Sequence, residues 1–183
     1  ERGGTETQRS EWLPKIIEGG CQGAFAFLER QSRFEITDVA TRAEADGEGF
    51  RLSGEKVVVL NGTNADQLIV TARTAGGQFE REGISLFLVP ADAAGLERLD
   101  YPMMDGQRVA NIVLKDVRVP ADALVGQRDR AMAVVDPVVD TVLVALGAEA
   151  LGIMSQLNAK TLEYTKTRKQ FGVPIGSFQA LQH

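Results

Sequence analysis

The chain has 183 residues, 44% of them hydrophobic, a net charge of -5 at pH 7 and a pI near 5.0. That length and apolar fraction suffice for one sizeable core, and the acidic balance excludes the basic surface that a nucleic-acid partner needs. The single cysteine, Cys21, forbids an internal disulfide and suits a reducing, cytoplasmic setting, while the only histidine, His183, is the last residue, which removes Ser-His-Asp and Cys-His catalysis and the usual zinc ligand sets from the chain.

In chain order, residues 3–18 read as a short helix, with Thr5 as N-cap and Gln8 in capping-box position. Pro14 is expected to break that helix, and Gly19-Gly20 to end it. From Gly23 the pattern turns to strands. GAFAFLE (23–29) is a compact apolar strand. Residues 38–77 are several strands punctuated by Asp46-Gly47, Ser53-Gly54, Asn61-Gly62 and Gly76-Gly77. Alternation predicts Val39, Thr41 and Ala43 on one face and Arg42 and Glu44 on the other. GISLFLVP (83–90) and ANIVLKDVRVP (110–120) are two further strands. Strands at this spacing predict an antiparallel sandwich or barrel.

After Gly126 the period becomes helical. Val135, Val138, Val139, Val142, Leu146, Ala150, Ile153, Leu157 and Tyr164 mark one long amphipathic helix, roughly 136–169, ended at Gly172. It cannot bury its stripe alone and calls for partner helices, as in a four-helix bundle. SFQALQH then reads as the first turn of the next helix with Ser177 as N-cap. The fold class expected is therefore α+β, a β middle domain followed by the opening helix of a truncated bundle. The first residue is Glu1 and the chain ends as a helix begins, so a piece of a longer protein is expected. No apolar run reaches the roughly 18 residues of a membrane span.

Few residues carry chemistry on physical grounds alone. GGCQG (19–23) lacks the strand before and the helix after that a dinucleotide loop requires, and reads as a helix end and strand entry. Glu29, Glu35 and Asp38 are scattered. Asp136 and Asp140 share a helix face, which suits a solvated helix N-terminus. Arg168, near the end of the long helix, offers the planar fork that clamps phosphates, with Phe171 expected to bury beside it. A helix end with a solvated basic pair is the plainer alternative.

The closing stretch YTKTRKQFGVPIGSFQALQH resembles the signature of the acyl-CoA dehydrogenase family, Tyr…Arg-x-x-Phe-Gly-x-x-Ile-x-x-Phe-Gln. Three further segments resemble the family in the right order: ERGGTETQRSEWLPKIIEGG, GFRLSGEKVVVLNGTNADQLIVTART and VLKDVRVPADALVG. Details such as DVAT, DYPMMDGQR and FGVPIGSFQ look most like the pimeloyl-CoA dehydrogenase small-subunit branch.

The resemblance implies a flavoenzyme of three parts. Residues 1–20 would be the tail of an N-terminal helical domain, 21–126 the middle β-domain and 127–183 the start of a C-terminal helical domain. It implies FAD as cofactor and α,β-desaturation of an acyl-CoA thioester. A carboxylate base takes the α-proton and a hydride leaves the β-carbon. Implied partners are a homologous large subunit or a second copy, and an electron-transfer flavoprotein or similar acceptor. Alternative readings are a non-catalytic small subunit supporting a catalytic large one, and an acyl-CoA oxidase.

Residue by residue, Arg168, Phe171 and Gln179 match positions at the FAD pyrophosphate and adenine. Phe27, Leu28 and Glu29 match the strand facing the flavin ring, and Val58, Val59 and Leu60 the segment beside it. Phe34, with Glu35, stands at the substrate-facing Ser-Asp. Leu28 replaces a Thr that often bonds the flavin, and Val58-Val59-Leu60 replaces Trp-Ile-Thr. The usual catalytic Glu falls beyond His183, and the position some relatives use on the long helix is Val142, so no catalytic base is assigned. Arg30, Arg33 or Arg42 could meet a distal substrate carboxylate; a solvated strand edge is the plainer reading.

Overall fold

The computed structural model describes residues 2–183. Its contacts divide the chain into two compact units, Glu1–Val135 and Asp136–His183.

The first unit opens with helix α1 (Glu6–Ile17). Its capping box forms as the sequence predicts: the Gln8 N–H donates to Thr5 Oγ1 at 3.2 Å and the Thr5 N–H to Gln8 Oε1 at 3.0 Å. Pro14 does not break the helix, which runs on to Ile17, with the Glu18 N–H donating to the Pro14 carbonyl at 2.9 Å. The lost hydrogen bond and ring clash cost about 3 kcal/mol in a free helix. Anchoring offsets it here: Gln8 Nε2 donates to the carbonyls of Asp122 and Leu124 at 2.7 and 3.0 Å, tying α1 to the end of the β-structure.

Eight strands follow: β1 (Gly23–Ala26), β2 (Arg42–Asp46), β3 (Gly49–Leu60), β4 (Gln67–Arg73), β5 (Ile84–Pro90), β6 (Leu96–Pro102), β7 (Arg108–Pro120) and β8 (Leu124–Val125). They form one open sheet in the order β6-β7-β3-β2-β4-β5-β8, with β1 also on β4. Most pairings are antiparallel, as expected. Two are parallel, β1 with β4 along its length and β2 with β4 at Arg42↔Arg73. Thus β1 and β2 lie one after the other along the same edge of β4, and the chain between them leaves the sheet. The alternation predicted for 39–44 is observed: Val39, Thr41 and Ala43 are buried, Arg42 and Glu44 exposed. The core is built from Leu52, Leu68, Val70, Phe87, Ile112 and Val117, with Phe50 set edge-on to Phe87 at 4.9 Å between ring centroids.

Two expectations for the strands are corrected, and one strand was not foreseen. The strand expected over 23–29 stops at Ala26, because the next residues turn inward to bury Glu29. Ser53-Gly54 is not a turn: it runs straight through the 12-residue β3, opposite a bulge in β7 where Lys115 and Asp116 together face Ser53. Gly54 has φ +154°, and a Cβ there would sit 2.7 Å from Thr41 Cα, so the close approach of Thr41, just before β2, requires glycine. Strand β6 gives no sequence signal, since nearly all of it is exposed and no alternation marks it.

The second unit is dominated by α2 (Met132–Thr167), whose first turn, with Met132 and Val135 buried, belongs to the first unit. The helix ends at Thr167, not near Gly172. Gly172 (φ +83°) instead turns a two-residue hairpin between β9 (Lys169–Gln170) and β10 (Val173–Pro174). Ser177 does not cap α3 (Gln179–Gln182): its hydroxyl donates back to the Pro174 carbonyl at 2.7 Å, and Phe178 holds the cap position. The expected absence of a spanning-length apolar run is also corrected. By length and composition alone α2 contains such a stretch, because small and apolar residues occur around the helix as well as on the predicted stripe. Val142, Leu146, Ile153 and Leu157 of the stripe are exposed, and so are Leu143, Val144 and Leu151.

Candidate functional site

The point where the chain leaves the sheet between β1 and β2 is closed by an ion pair. Lys56, from β3, is 0% exposed and Glu29 is 3% exposed, and Lys56 Nζ donates to Glu29 Oε1 at 2.6 Å. Lys56 also donates to Thr71 Oγ1 of β4 at 2.9 Å. The Glu29 carboxylate accepts the N–H groups of Ala40 and Thr41, at 2.8 and 3.1 Å, and the amide of Gln31 at 2.8 Å. It thus supplies acceptors to backbone that has no strand partner there.

Burial pushes the Glu29 carboxyl up, but the Lys56 charge and these hydrogen bonds outweigh it and hold the carboxyl below its usual range. Burial pulls the Lys56 ammonium down to about 8, only partly resisted by Glu29. Both groups are charged at neutral pH, and both are committed to structure.

The same pair aligns a backbone edge. Leu28 precedes Glu29 and Val57 follows Lys56, and the Val57 N–H donates to the Leu28 carbonyl at 2.8 Å. The segment Phe27-Leu28-Glu29 and the segment Val58-Val59-Leu60 are thereby adjacent. Val58 and Leu60 are 39% and 58% exposed, whereas Val59 is buried in the core. Phe27 stacks on Phe25 at 4.9 Å, and Phe25 pairs with Ile69 of β4, itself partly exposed. The result is an apolar ledge, Phe25, Phe27, Leu28, Val58 and Leu60, with backbone polar groups at its rim. It can take a flat apolar face. It offers no side-chain hydroxyl at Leu28 or Leu60. The Glu29 side chain points away into its ion pair, so only its backbone is available to the ledge.

Arg73, 6% exposed, organises the flanking loops. Its guanidinium donates to six carbonyl oxygens, those of Thr37, Val39, Ala75, Gln78, Glu80 and Glu82, at 2.8 to 3.4 Å. The loop it holds carries Phe34, which projects to solvent at 99% exposure. Arg30 pairs with Glu55 at 2.8 Å. Arg42 lines a cleft of about 180 Å³ shared with Glu44, Arg51 and Asp116. Among the described residues no cluster of three or more His, Cys, Asp or Glu is placed to hold a metal.

In the second unit, Arg168, Phe171 and Gln179 fall on the helix end, the hairpin turn and the start of α3. The Ile175 N–H donates to the Arg168 carbonyl at 2.8 Å, which folds the segment so that Phe171 meets Phe178 edge-on at 6.3 Å. Phe171 is not buried beside Arg168 as expected: it is 93% exposed, with left-handed backbone at φ +54°. The side chains of Arg168 and Gln179 are also exposed.

Sequence reasoning named residues 27–29 and 58–60 but missed Lys56, whose side chain donates to the Glu29 carboxylate, and Thr71, which accepts from Lys56. The available signal was a lysine within GEKVVVL, on a strand that places Leu52 and Lys56 on its buried side.

The chain is thus an open mixed sheet followed by a long helix, with an apolar ledge at the β1–β3 seam. The sequence profile of the acyl-CoA dehydrogenase middle domain matches residues 24–117, and that of the C-terminal domain matches 144–183. The chain belongs to the acyl-CoA dehydrogenase family. It is 32% identical over 182 residues to the acyl-CoA dehydrogenase FadE12 of Mycobacterium tuberculosis, covering 98% of this chain and 47% of that protein. It superposes on butyryl-CoA dehydrogenase from Megasphaera elsdenii with a TM-score of 0.87 and 29% identity, over 99% of this chain and 48% of the other. The FAD complex of PigA matches with a TM-score of 0.89 and 27% identity, over 99% and 48%. The chain thus spans about half the length of the curated relatives it matches.

Proposed function

We propose that the protein carrying this chain is an FAD-dependent acyl-CoA dehydrogenase that desaturates an acyl-CoA thioester between its α and β carbons. The observation that carries the reading is the Val57 to Leu28 hydrogen bond at 2.8 Å: it joins, on one exposed apolar ledge, the two segments that the family resemblance assigns to the flavin. The residues present fit the group. Leu28, Val58 and Leu60 offer a flat apolar support for the ring, and at the ledge its polar contacts would come from backbone, which substitution leaves intact. Arg168 and Gln179, both exposed on the second unit, suit a pyrophosphate and an adenine edge, and Phe171 is exposed on the hairpin turn. FAD would supply the hydride acceptor; the chain's own residues support it and exclude water from its face.

In this reading residues 1–20, 21–126 and 127–183 contribute to the N-terminal helical, middle β and C-terminal helical domains. Helix α2 is a bundle helix, a reading supported by the C-terminal domain match over 144–183. The base that removes the α-proton comes from outside this chain. A homologous large subunit or a second copy covers the second unit, a flavoprotein accepts the electrons, and the enzyme works in the cytoplasm. Phe34 lies on the acyl-CoA side. The finer substrate, a dicarboxylic acyl-CoA such as pimeloyl-CoA, rests on the DVAT, DYPMMDGQR and FGVPIGSFQ segments.

The test is turnover of a panel of mono- and dicarboxylic acyl-CoA thioesters with a dye acceptor. Preference for pimeloyl-CoA supports the finer reading, and equal rates with butyryl-CoA remove it. A second reading is favoured by the hydroxyl-free ledge at Leu28 and Leu60: a non-catalytic subunit that binds a structural flavin. It predicts bound flavin but no turnover without a partner chain.

A further inference from the structure

Strand β3 carries a bulge of its own at the ledge. Lys56 pairs with Ile112 and Val59 with Ala110, so Val57 and Val58 together oppose Asn111 of β7. Val58 has φ +52°, a left-handed backbone that a β-branched residue occupies only under constraint. The constraint is visible. The Val58 N–H leaves the strand ladder and donates to the side-chain oxygen of Asn111 at 3.2 Å, and the Tyr101 hydroxyl of β6 donates to that same oxygen at 2.9 Å. The amide orientation follows from the chemistry: an N–H facing it can only donate, so the oxygen must face Val58. One amide, steadied by one phenol from the next strand, fixes Val58, one of the exposed residues of the ledge.

We propose that Asn111 and Tyr101 are positioning residues for the cofactor: by holding Val58 in its left-handed bulge they shape the ledge and set its affinity for the flavin ring. The inference rests on the proposed flavin-facing role of the ledge. Its structural half, that the amide holds the bulge, does not.

Two readouts on the intact protein separate these. The first is the HN–Hα coupling of Val58 in isotope-labelled protein, which reports its φ angle without any cofactor. The second is FAD affinity from quenching of flavin fluorescence. Asn111→Ala is expected to move the coupling to the extended-strand value and to weaken FAD binding about tenfold, equivalent to about 1.4 kcal/mol. Asn111→Asp keeps an acceptor and is expected to restore both. Tyr101→Phe should give a smaller shift in the same direction. In a Val58→Gly background, where left-handed backbone carries no penalty, adding Asn111→Ala should cost less affinity than it does beside valine. An unchanged coupling in Asn111→Ala overturns the structural half. A moved coupling with unchanged FAD affinity overturns the link to the cofactor. Failure of the unsubstituted protein to bind FAD overturns the flavin reading itself and leaves the coupling to decide whether the amide holds the bulge.

Discussion

Replacing Glu29 by glutamine is the sharpest perturbation of the β-unit. The change is nearly isosteric but removes the charge opposite the Lys56 ammonium, 0% exposed, and leaves it only neutral acceptors, the glutamine carbonyl and Thr71 Oγ1. It also turns an amide NH₂ towards groups that donate, since the carboxylate accepts from Lys56, Gln31, Ala40 and Thr41. Removing one partner of a buried pair costs about 3–5 kcal/mol, a large part of the roughly 5–15 kcal/mol that holds a domain together. Pairing Glu29→Gln with Lys56→Met removes the stranded charge, so the double variant should recover at least about 2 kcal/mol relative to the sum of the single changes. The assay is urea unfolding followed by circular dichroism, repeated from pH 6 to 9.

The pH arm has a definite sign. Burial already lowers the folded Lys56 to about 8 from 10.5, and loss of the carboxylate lowers it further. Between the folded and unfolded values the unfolded chain binds the extra proton, so stability rises with pH. In Glu29→Gln that rise should begin below pH 8, with a slope approaching 1.36 kcal/mol per pH unit. A loss under about 1 kcal/mol, strict additivity in the double variant, or a flat pH profile would refute the reasoning.

Further outcomes follow from the same structure. In the unsubstituted protein the Glu29 carboxyl lies below its usual 4.5, so its contribution is complete above that pH and is lost as pH falls through the folded value, visible as steepening acid unfolding that Glu29→Gln lacks. Arg73→Lys keeps the charge but has too few donors for six carbonyls, and should cost about 2 kcal/mol or more, read as a lower urea midpoint and faster proteolysis within 75–83. Gly54→Ala forces a Cβ against Thr41 and a left-handed backbone, and should destabilise by about 1–3 kcal/mol in the same urea assay. The 183-residue chain expressed alone exposes the apolar residues of α2 and should associate or precipitate; a monodisperse monomer by light scattering counts against that.

What the sequence made legible followed from period and punctuation. The Thr5–Gln8 box, the alternation at 39–44 and the long helix after Gly126 are local signals, and the structure contains each of them. Pro14 and Ser53-Gly54 misled because tertiary contacts overrode a local rule: Gln8 anchors α1, and the glycine serves the close approach of Thr41 in mid-strand instead of a turn. The ledge segments were legible only through family resemblance, since backbone-facing sites leave little side-chain trace. Lys56, Asn111 and Arg73 stayed hidden because their partners are 27, 53 and as many as 36 residues away in sequence. Phe171 was misjudged because its hairpin turn points it outward.

The central claim is that the ledge supports a working flavin. It is tested most directly by the visible spectrum of the purified intact protein under argon, before and after an acyl-CoA thioester is added. A bound-flavin band that bleaches with substrate is the predicted result. Absence of any flavin band, with FAD added in excess, would contradict it.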